Sequence, residues 1–327
     1  MLAYIVRRIS YAIPILIGVN ILTFALFFVV NTPDDMARMQ LGVKRVTLEA
    51  IDGWKKDHGY DKPLFYNSKP SDGNAVTDTI FFTKSVRLFL FDFGNADDGR
   101  NITHDIYQRM WPSLSIAIPV FIIGILVNIT FSMIMAFFRG SYIDVSGVVL
   151  CVVLMSISAL FYIIGGQYLL SIMYKLVPIS GYDTGENALK FIVLPIVVGI
   201  VGGIGSGSRW YRTIFLEEIN KDYVRTARAK GLSEHVVLFK HVLKNALVPI
   251  LTGVVAVIPL LFMGSLLLEA FFSIPGLGSY TIDAIQAQDF AIVRAMVFLG
   301  SVLYIVGLIL TDISYTMVDP RIRLGGA

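Results

Sequence analysis

The charged residues whose types and spacing best suit binding to a partner lie in one segment, residues 209–244. This segment carries eight Lys and Arg side chains and four Asp and Glu side chains, which leaves a net charge of +4. A basic segment of this kind binds an anionic surface, which is either the head groups of a membrane or an acidic patch on a protein. Charge alone therefore predicts a binding function and leaves the partner open.

A glycine near the middle of this segment favours a protein partner. Strong helix formers precede Gly231, and a glycine at that point can adopt the left-handed conformation that ends a helix, with Leu232 as the apolar residue beyond it. Ser233 is a suitable N-cap for a second helix, and Glu234 suits the positive end of its dipole. We refer to residues 221–243 as the elbow. A helix lying on lipid needs no such sharp turn, so a shaped protein partner is favoured.

The second helix of the elbow is predicted to be amphipathic. Val236, Phe239 and Leu243 recur at spacings of three and four residues, which places them in one apolar stripe. Pro249 ends or kinks the helix where a long apolar stretch has begun. We therefore expect a rigid element at the membrane surface, packed through this stripe.

The sequence contains no pattern typical of an enzyme. The four histidines are scattered, and the single cysteine, Cys151, is flanked by apolar residues, so neither a metal cluster nor a disulfide is indicated. No Gly-x-x-x-x-Gly-Lys-Ser/Thr loop is present to cradle nucleotide phosphates. We therefore expect no catalytic residue, no metal site and no cofactor in this chain.

The composition indicates a membrane protein. Of 327 residues, 55% are apolar and only 16% are charged, and the mean hydropathy is +0.70. Soluble domains carry about 25% charged residues, so soluble enzymes, disordered chains and nucleic-acid-binding modules are disfavoured. About 17–25 uncharged, mostly apolar residues cross a bilayer as a helix. Six stretches meet this requirement, at residues 9–30, 113–138, 145–174, 191–208, 245–268 and 295–311.

The distribution of basic residues predicts the orientation of these spans. If the N-terminus is cytoplasmic, the inner segments carry thirteen Lys and Arg residues and the short outer loops carry only Lys175 and Lys190. Positively charged short loops stay inside, so both termini are expected in the cytoplasm. We also expect the first span to be retained rather than cleaved as a signal peptide, because its apolar run is long for one.

The predicted fold is an all-α membrane protein with six transmembrane helices and an external subdomain between helices 1 and 2. The sequence divides into a first helix at residues 1–30, an external segment at 31–112, a five-helix core at 113–318 and a cytoplasmic tail at 319–327. The core includes the cytoplasmic loop at 209–248. Helices are expected near residues 47–56 and 80–90 of the external segment. This segment is a cap on the helix ends, a docking surface for an external partner, or both.

Polar residues within the spans are candidates for a pore or a gate. Glu269 and Arg294 are the ionisable groups closest to the membrane interior, and such groups usually face a partner or a water-filled path. Both lie near a span end, so a structural role is favoured. Asn128, Ser156 and Ser158 lie deeper and are more often hydrogen-bond partners between helices than substrate ligands.

Several segments together resemble a known family. Residues 223–233, Tyr-Val-Arg-Thr-Ala-Arg-Ala-Lys-Gly-Leu-Ser, and residues 241–249, His-Val-Leu-Lys-Asn-Ala-Leu-Val-Pro, resemble the EAA loop of inner-membrane permease subunits of bacterial ABC importers. The similarity is to the dipeptide/oligopeptide permease family in particular. Residues 1–8, 272–278 and 319–323 resemble its N-terminus, its external turn and its C-terminal tail. Arg225, Thr226 and Ala227 stand where the general pattern has Glu-Ala-Ala, a departure that peptide-type permeases share.

This resemblance implies a type I importer fold in the bacterial inner membrane. The chain would pair with a homologous second permease, receive peptides from an external substrate-binding protein and rely on two cytoplasmic ATPase subunits that bind ATP and Mg. The resemblance assigns contact with the ATPase to ten residues of the elbow: Arg225, Thr226, Ala227, Arg228, Ala229, Lys230, Gly231, Leu232, Ser233 and Glu234.

Other functions remain open from the sequence. Members of this family share the loop while their cargo varies, so nickel, an oligosaccharide or another small solute is an alternative cargo. A stand-alone channel or secondary transporter would have paired inverted repeats, and we find no internal repeat. A purely structural or lipid-binding membrane protein would tolerate disruption of the turn at Gly231.

Overall fold

The computed structural model describes residues 2–42, 46–68 and 74–318, and most of them are helical. Within these ranges no β-strand forms, apart from an isolated bridge between Asn95 and Asn101. The chain divides into two compact units. The first contains residues 1–110 and 280–309, and the second contains residues 111–279 and 310–327. The predicted tail motif at 319–323 lies outside the described residues.

The first unit combines a long apolar helix with a small helical subdomain. Helix α1, Leu2–Phe24, continues as a π-helical turn, Ala25–Val30. It is followed by α2, Pro33–Leu41, by α3, Leu48–Asp57, and by α4, Ile80–Lys84, which leads into a 3-10 turn, Val86–Leu90. The helices predicted near 47–56 and 80–90 are therefore confirmed.

Helix α2 was not predicted, although the sequence carries its signal. The side chain of Thr32 accepts a hydrogen bond from the backbone N–H of Asp35, and the Asp35 carboxylate accepts one from the backbone of Thr32. This reciprocal cap, with Pro33 at the first helical position, is a strong start signal. The subdomain packs around an apolar core that extends from α1: Phe24, Phe28, Met36, Ile51, Trp54, Tyr60 and Ile80.

The remaining helices follow along the chain. They are α5, Ile102–Phe137; α6, Tyr142–Ser156; α7, Ala159–Gly166, which continues as a π-helix, Gln167–Met173; α8, Ala188–Ile219; α9, Asp222–Ala229; α10, Glu234–Val236, which continues as a π-helix, Val237–Val242; α11, Leu243–Val257, followed by a 3-10 segment, Ile258–Met263; α12, Leu266–Phe272; α13, Leu277–Ala287; and α14, Phe290–Val318.

Among the described residues, five helical stretches are long and apolar enough to cross a membrane, and a sixth is a bent pair. The five are Val6–Val30, Ile102–Phe137, Ala188–Ile219, Glu234–Phe272 and Phe290–Ser314. They overlap five of the predicted spans. The remaining predicted span, 145–174, corresponds to Tyr142–Ser156 and Ala159–Met173, which meet at 90°. The fold is thus helical with five apolar spans, or six if the bent pair counts as one.

The bend follows from a short extended segment between α6 and α7. Ile157 and Ser158 have extended backbone angles, which interrupt the helical hydrogen bonds. The hydroxyl of Tyr162 donates to the carbonyl oxygen of Leu154 at 2.7 Å and so satisfies one carbonyl at the end of α6. Carbonyls at a helix end need such partners, and inside a membrane water is scarce.

Candidate functional site

The first helix of the elbow ends as the sequence predicts. Helix α9 stops at Ala229, and Gly231 has a φ of +74°. The N–H of Gly231 donates to the carbonyl of Arg228 at 2.9 Å, and the N–H of Leu232 donates to the carbonyl of Ala227 at 3.4 Å. These two bonds form a Schellman motif, which uses a left-handed residue to satisfy the last helical carbonyls. The predicted glycine turn is confirmed.

The second side of the turn is closed by an ion pair. Ser233 has the extended conformation of an N-cap, φ −62° and ψ 148°, yet its side chain makes no capping hydrogen bond. The Glu234 carboxylate instead accepts two hydrogen bonds from the guanidinium of Arg228, at 2.8 and 3.1 Å. A bidentate pair of this kind is directional as well as attractive. It ties the end of α9 to the start of α10.

The predicted apolar stripe of the second helix is wrong at Val236 and Phe239, whereas its third member, Leu243, packs against the buried cluster. Val236 and Phe239 are exposed, at 38% and 56%, whereas Val237 and Leu238 are buried. Residues 237–242 form a π-helix, in which each turn takes more residues than in an α-helix. The buried residues are Val237, Leu238 and Val242, so the face that packs against the apolar cluster differs from the predicted one.

The inner side of the elbow is anchored in an apolar cluster. Val224 and Ala227 of α9 are buried and pack in the same cluster as Phe215 and Ile219 of α8 and Val237 of the π-helix. These contacts join the elbow to the two long helices on either side of it. Because packed interiors are dense and have few voids, such a junction moves as one body.

A partly buried tyrosine hydroxyl adds a polar contact to this junction. The hydroxyl of Tyr223 donates to the carboxylate of Glu218 at 2.5 Å, and Lys221 forms an ion pair with the same carboxylate. Burial, together with the hydrogen bond to Glu218, raises the pKa of Tyr223 to about 12. The hydroxyl therefore remains protonated, and a hydrogen-bond donor, throughout the physiological pH range.

The outer side of the elbow is exposed. Of the ten residues assigned to ATPase contact, only Ala227 is buried. The nine exposed residues include three cations, Arg225, Arg228 and Lys230, and one anion, Glu234. Arg225 lies 3.5 Å from Asp222, and both side chains are largely exposed, so this pair contributes little to stability. The arrangement is a fixed, mostly cationic face available to a partner.

Glu269 occupies a cradle of backbone donors in the second unit. Its side chain is 1% exposed and accepts hydrogen bonds from the backbone N–H groups of Ser265, Gly278 and Ser279, at 3.1, 2.7 and 3.1 Å. The hydroxyl of Ser113 completes the cradle. A carboxylate with these partners holds the turn between α12 and α13 in place, which is a structural role.

The other polar candidates have different surroundings. The Ser208 hydroxyl donates to the Asn128 side-chain oxygen at 2.8 Å, which joins α8 to α5. Ser156 and Ser158 flank the break between α6 and α7 and are exposed. The structure therefore gives Asn128 a role in helix packing and places the two serines at a bend. Arg294 is a buried residue of the first unit, where its side chain lies 5.2 Å from the centre of the Phe28 ring.

A cavity in the second unit was missed by the sequence reasoning. It measures about 280 Å³ and lies between α5, α8 and the segment from Val257 to Glu269. Its lining is mainly apolar and includes Val120, Gly199 and Leu261. No local pattern identifies such a cavity, because its walls come from three helices far apart in the sequence. Among the described residues, no group of three or more His, Cys, Asp and Glu side chains is arranged to hold a metal ion.

These features define a class: a helical, multi-pass membrane protein with a rigid basic elbow. The chain belongs to the family of binding-protein-dependent transport system inner membrane components, whose pattern matches residues 109–324. The pattern of the N-terminal region of such membrane components matches residues 1–69. The chain is accordingly a multi-pass permease component of the inner membrane.

Curated relatives match this chain along almost its entire length. A putative peptide transport system permease protein of Brucella abortus (strain 2308) is 32% identical, and the match covers 99% of both chains. The oligopeptide transport system permease protein AppB of Bacillus subtilis is 30% identical over 99% of this chain and 100% of its own. The di/tripeptide transport system permease protein DppB of Pseudomonas aeruginosa is 29% identical over 99% of each chain.

Proposed function

We propose that this chain is the permease subunit of an ATP-driven ABC importer that moves peptides across the inner membrane. The family supports the transport role, and relatives whose names specify peptides, oligopeptides or di- and tripeptides support the cargo. A substrate-binding protein would deliver the peptide on the external side. The chain itself performs no chemistry on its cargo or on ATP.

The elbow is the proposed contact with the ATPase. The observation that carries this proposal is its two-sided construction: Val224 and Ala227 are packed between the flanking helices, while the charged face around Arg228 is exposed. Energetic coupling requires an element that moves between discrete arrangements, which a flexible loop does not provide. The Schellman turn at Gly231 and the Arg228–Glu234 pair supply that rigidity.

The mechanism follows from these contacts. Two ATPase subunits, which bind ATP and Mg, would close on each other. The elbow would be bound in a groove on one of these subunits and would move with it. Because α8 and α11 share one apolar cluster with α9, the displacement reaches both long helices. Their rearrangement, together with that of a homologous second permease, would open the peptide path to the opposite side of the membrane.

The topology proposed for this mechanism has six spans with both termini in the cytoplasm. The bent pair α6 and α7 is counted as one span, and the subdomain at residues 31–112 lies outside. The bias of Lys and Arg towards the inner segments supports this orientation. It places the elbow on the side where ATP is available.

The first experiment is gentle purification of the chain from its native membrane, followed by identification of the co-purified proteins by mass spectrometry. We expect a second permease and ATPases with phosphate-binding loops. Recovery of the chain alone, under conditions that preserve a known membrane complex, would contradict the proposal and favour a channel or secondary transporter. Uptake of labelled peptides, nickel and oligosaccharides by the reconstituted complex then identifies the cargo.

The second experiment tests coupling through the substitution Gly231→Val. Valine is strained at a φ of +74°, so the turn must change shape, although a Cβ there meets no other atom within 4 Å. We expect peptide uptake to fall at least tenfold while the protein remains inserted. Asparagine tolerates the left-handed conformation, so Gly231→Asn should keep much of the uptake.

A matched control is Gly53→Val, in helix α3. Gly53 has a helical conformation and an equally open environment, so this variant receives the same side chain without the backbone strain. We expect its uptake to stay near that of the wild type. Normal uptake by Gly231→Val at normal expression would refute the proposed coupling role, whatever the cargo.

A further inference from the structure

A cavity in the first unit has a cationic lining. It measures about 140 Å³ and is bounded by the end of α4, the following 3-10 turn, the loop at residues 92–95 and the start of α14. Three of its lining residues are cations, Lys84, Arg87 and Arg294, and one is an anion, Asp92. The charged lining thus has an excess of two positive charges.

Arg294 is the unusual member of this lining. Its side chain is only 3% exposed, and its Nε atom has no hydrogen-bond partner among the described residues. The contact with the Phe28 ring, at 5.2 Å, provides a π face but no acceptor. Burial of a guanidinium without a paired anion is costly, so residues of this kind usually serve a ligand or a partner.

Two carboxylates near Arg294 and Lys84 keep their negative charge, but neither forms an ion pair with these cations in the described part of the chain. Asp289, one turn before Arg294, accepts the backbone N–H groups of Asp97 and Ile292, at 2.8 and 3.0 Å. The Asp97 carboxylate is bonded to the Gln40 side chain and lies 3.4 Å from His58. No ion pair within 4.0 Å joins Arg294 to either carboxylate in the described part of the chain.

The other charged groups of the lining are also incompletely neutralised. Asp92 lies 3.8 Å from Arg87 and accepts the backbone N–H of Gly94, so it neutralises at most one cation. Lys84 lies 5.0 Å from the centre of the Tyr60 ring and has no ion pair among those the structure describes. Burial, and then the positive charge of Arg294, lower the pKa of Lys84 to about 8. A bound anion would relieve both penalties.

We propose that this cavity binds one oxyanion of the kind found in a phosphate group, held by Arg294, Lys84 and Arg87. The excess charge of two matches the roughly −1 to −2 carried by phosphate groups near neutral pH. The volume equals that of several water molecules at about 30 Å³ each, which is enough for a tetrahedral oxyanion. The source is either free phosphate or the head group of an anionic phospholipid, and the two present the same chemistry.

The first arm of the test uses inorganic phosphate. The full chain is melted in a neutral detergent at increasing phosphate concentration, with chloride at matched ionic strength as the salt control. We expect a saturable rise in Tm with phosphate only. Lys84→Gln should raise the half-saturating concentration about tenfold, since a charged hydrogen bond is lost. Lys56→Gln, which removes an exposed charge away from the cavity, should respond as the wild type does.

The second arm uses lipid discs of phosphatidylcholine with or without phosphatidylglycerol. Native mass spectra count the phosphatidylglycerol molecules that stay bound to each variant. Retention by the wild type and by Lys56→Gln, but not by Lys84→Gln, would assign the site to a lipid head group. A response to inorganic phosphate without such retention would assign it to a free anion.

Equal behaviour of Lys84→Gln and Lys56→Gln in both arms would overturn the proposal. A rise in Tm with chloride equal to that with phosphate would also overturn it. Arg294→Gln should remove binding in either arm, but Lys84 is the better position for the test. Its side chain is less deeply buried, so we expect its replacement to preserve the fold. The result is independent of the proposed transport function, since neither arm measures uptake.

Discussion

Two turns of the second unit use glycine for opposite reasons. At the elbow, Gly231 has a φ of +74°, and a Cβ added there meets nothing within 4 Å. At the turn between α12 and α13, a Cβ added to Gly278 would lie 2.8 Å from backbone atoms of Ser265 and Leu266. The elbow needs glycine for its conformation, and the second turn needs it for space.

The charged side chains of the two turns differ in their exposure and in their partners. The Arg228–Glu234 pair lies at the surface, with side chains 43% and 49% exposed. The Glu269 carboxylate is almost completely buried and is surrounded by donors from its own turn. An exposed turn that keeps its charges accessible suits contact with a partner, whereas a buried turn whose charge is fully bonded suits the maintenance of one shape.

The largest effect on stability is expected from Glu269→Ala. It leaves three backbone N–H groups without their acceptor in a buried site, which costs about 4 kcal/mol. Glu269→Gln keeps one acceptor oxygen and should lose about half as much. The measurement is thermal melting of the purified chain in detergent. Loss of peptide uptake by Glu269→Ala at an unchanged Tm would contradict this structural role and identify a gate residue.

A smaller loss is expected from Gly278→Ala. The new methyl group collides with backbone atoms that have little freedom to move, at a cost of about 2 kcal/mol. Gly203→Ala is the matched control, because Gly203 lies within α8 with no atom near its Cβ position. That control should melt at or slightly above the wild-type temperature, since alanine is the better helix former. Equal Tm values for the two variants would contradict the claim that the second turn needs glycine for space.

The smallest effect on stability is expected from Arg228→Glu. The substitution replaces a surface ion pair with two like charges, which costs less than about 1 kcal/mol. The effect on coupling is the informative quantity, measured as peptide uptake per ATP hydrolysed by the reconstituted complex. The double variant Arg228→Glu/Glu234→Arg restores the pair. Recovery of coupling in the double variant would show that the shape of the elbow matters. Continued loss of coupling would show that the partner interacts with the positive charge of Arg228.

Local features of this protein were predictable from the sequence. The turn at Gly231 was predicted because the bonds that define it join residues no more than five positions apart. The apolar spans were predicted because hydropathy and length are properties of a continuous segment. The helices of the subdomain follow the same rule, and the sequence at the start of α2 includes a capping signal at Thr32.

Features that depend on packing were not predictable. The buried face of the elbow's second helix includes Leu238 and Val242, which pack in the same cluster as Phe215 of α8, and does not include Val236 and Phe239. The bend at Ile157 divided an apolar stretch that hydropathy alone treats as one span. The first was decided by contacts with α8, and the second by the extended backbone of Ile157 and Ser158.

The sequence by itself therefore determined the class of protein, the apolar spans and the elbow, because hydropathy and helix capping act over a few residues. Only the tertiary structure brought Ser113 to a turn more than 160 positions away, where its hydroxyl oxygen accepts the N–H of Leu277. It also placed Arg294 beside Lys84 in a shared cavity. Such sites consist of groups from distant segments. The free-energy cost of burying these groups depends on their tertiary surroundings, so no local sequence pattern predicts it.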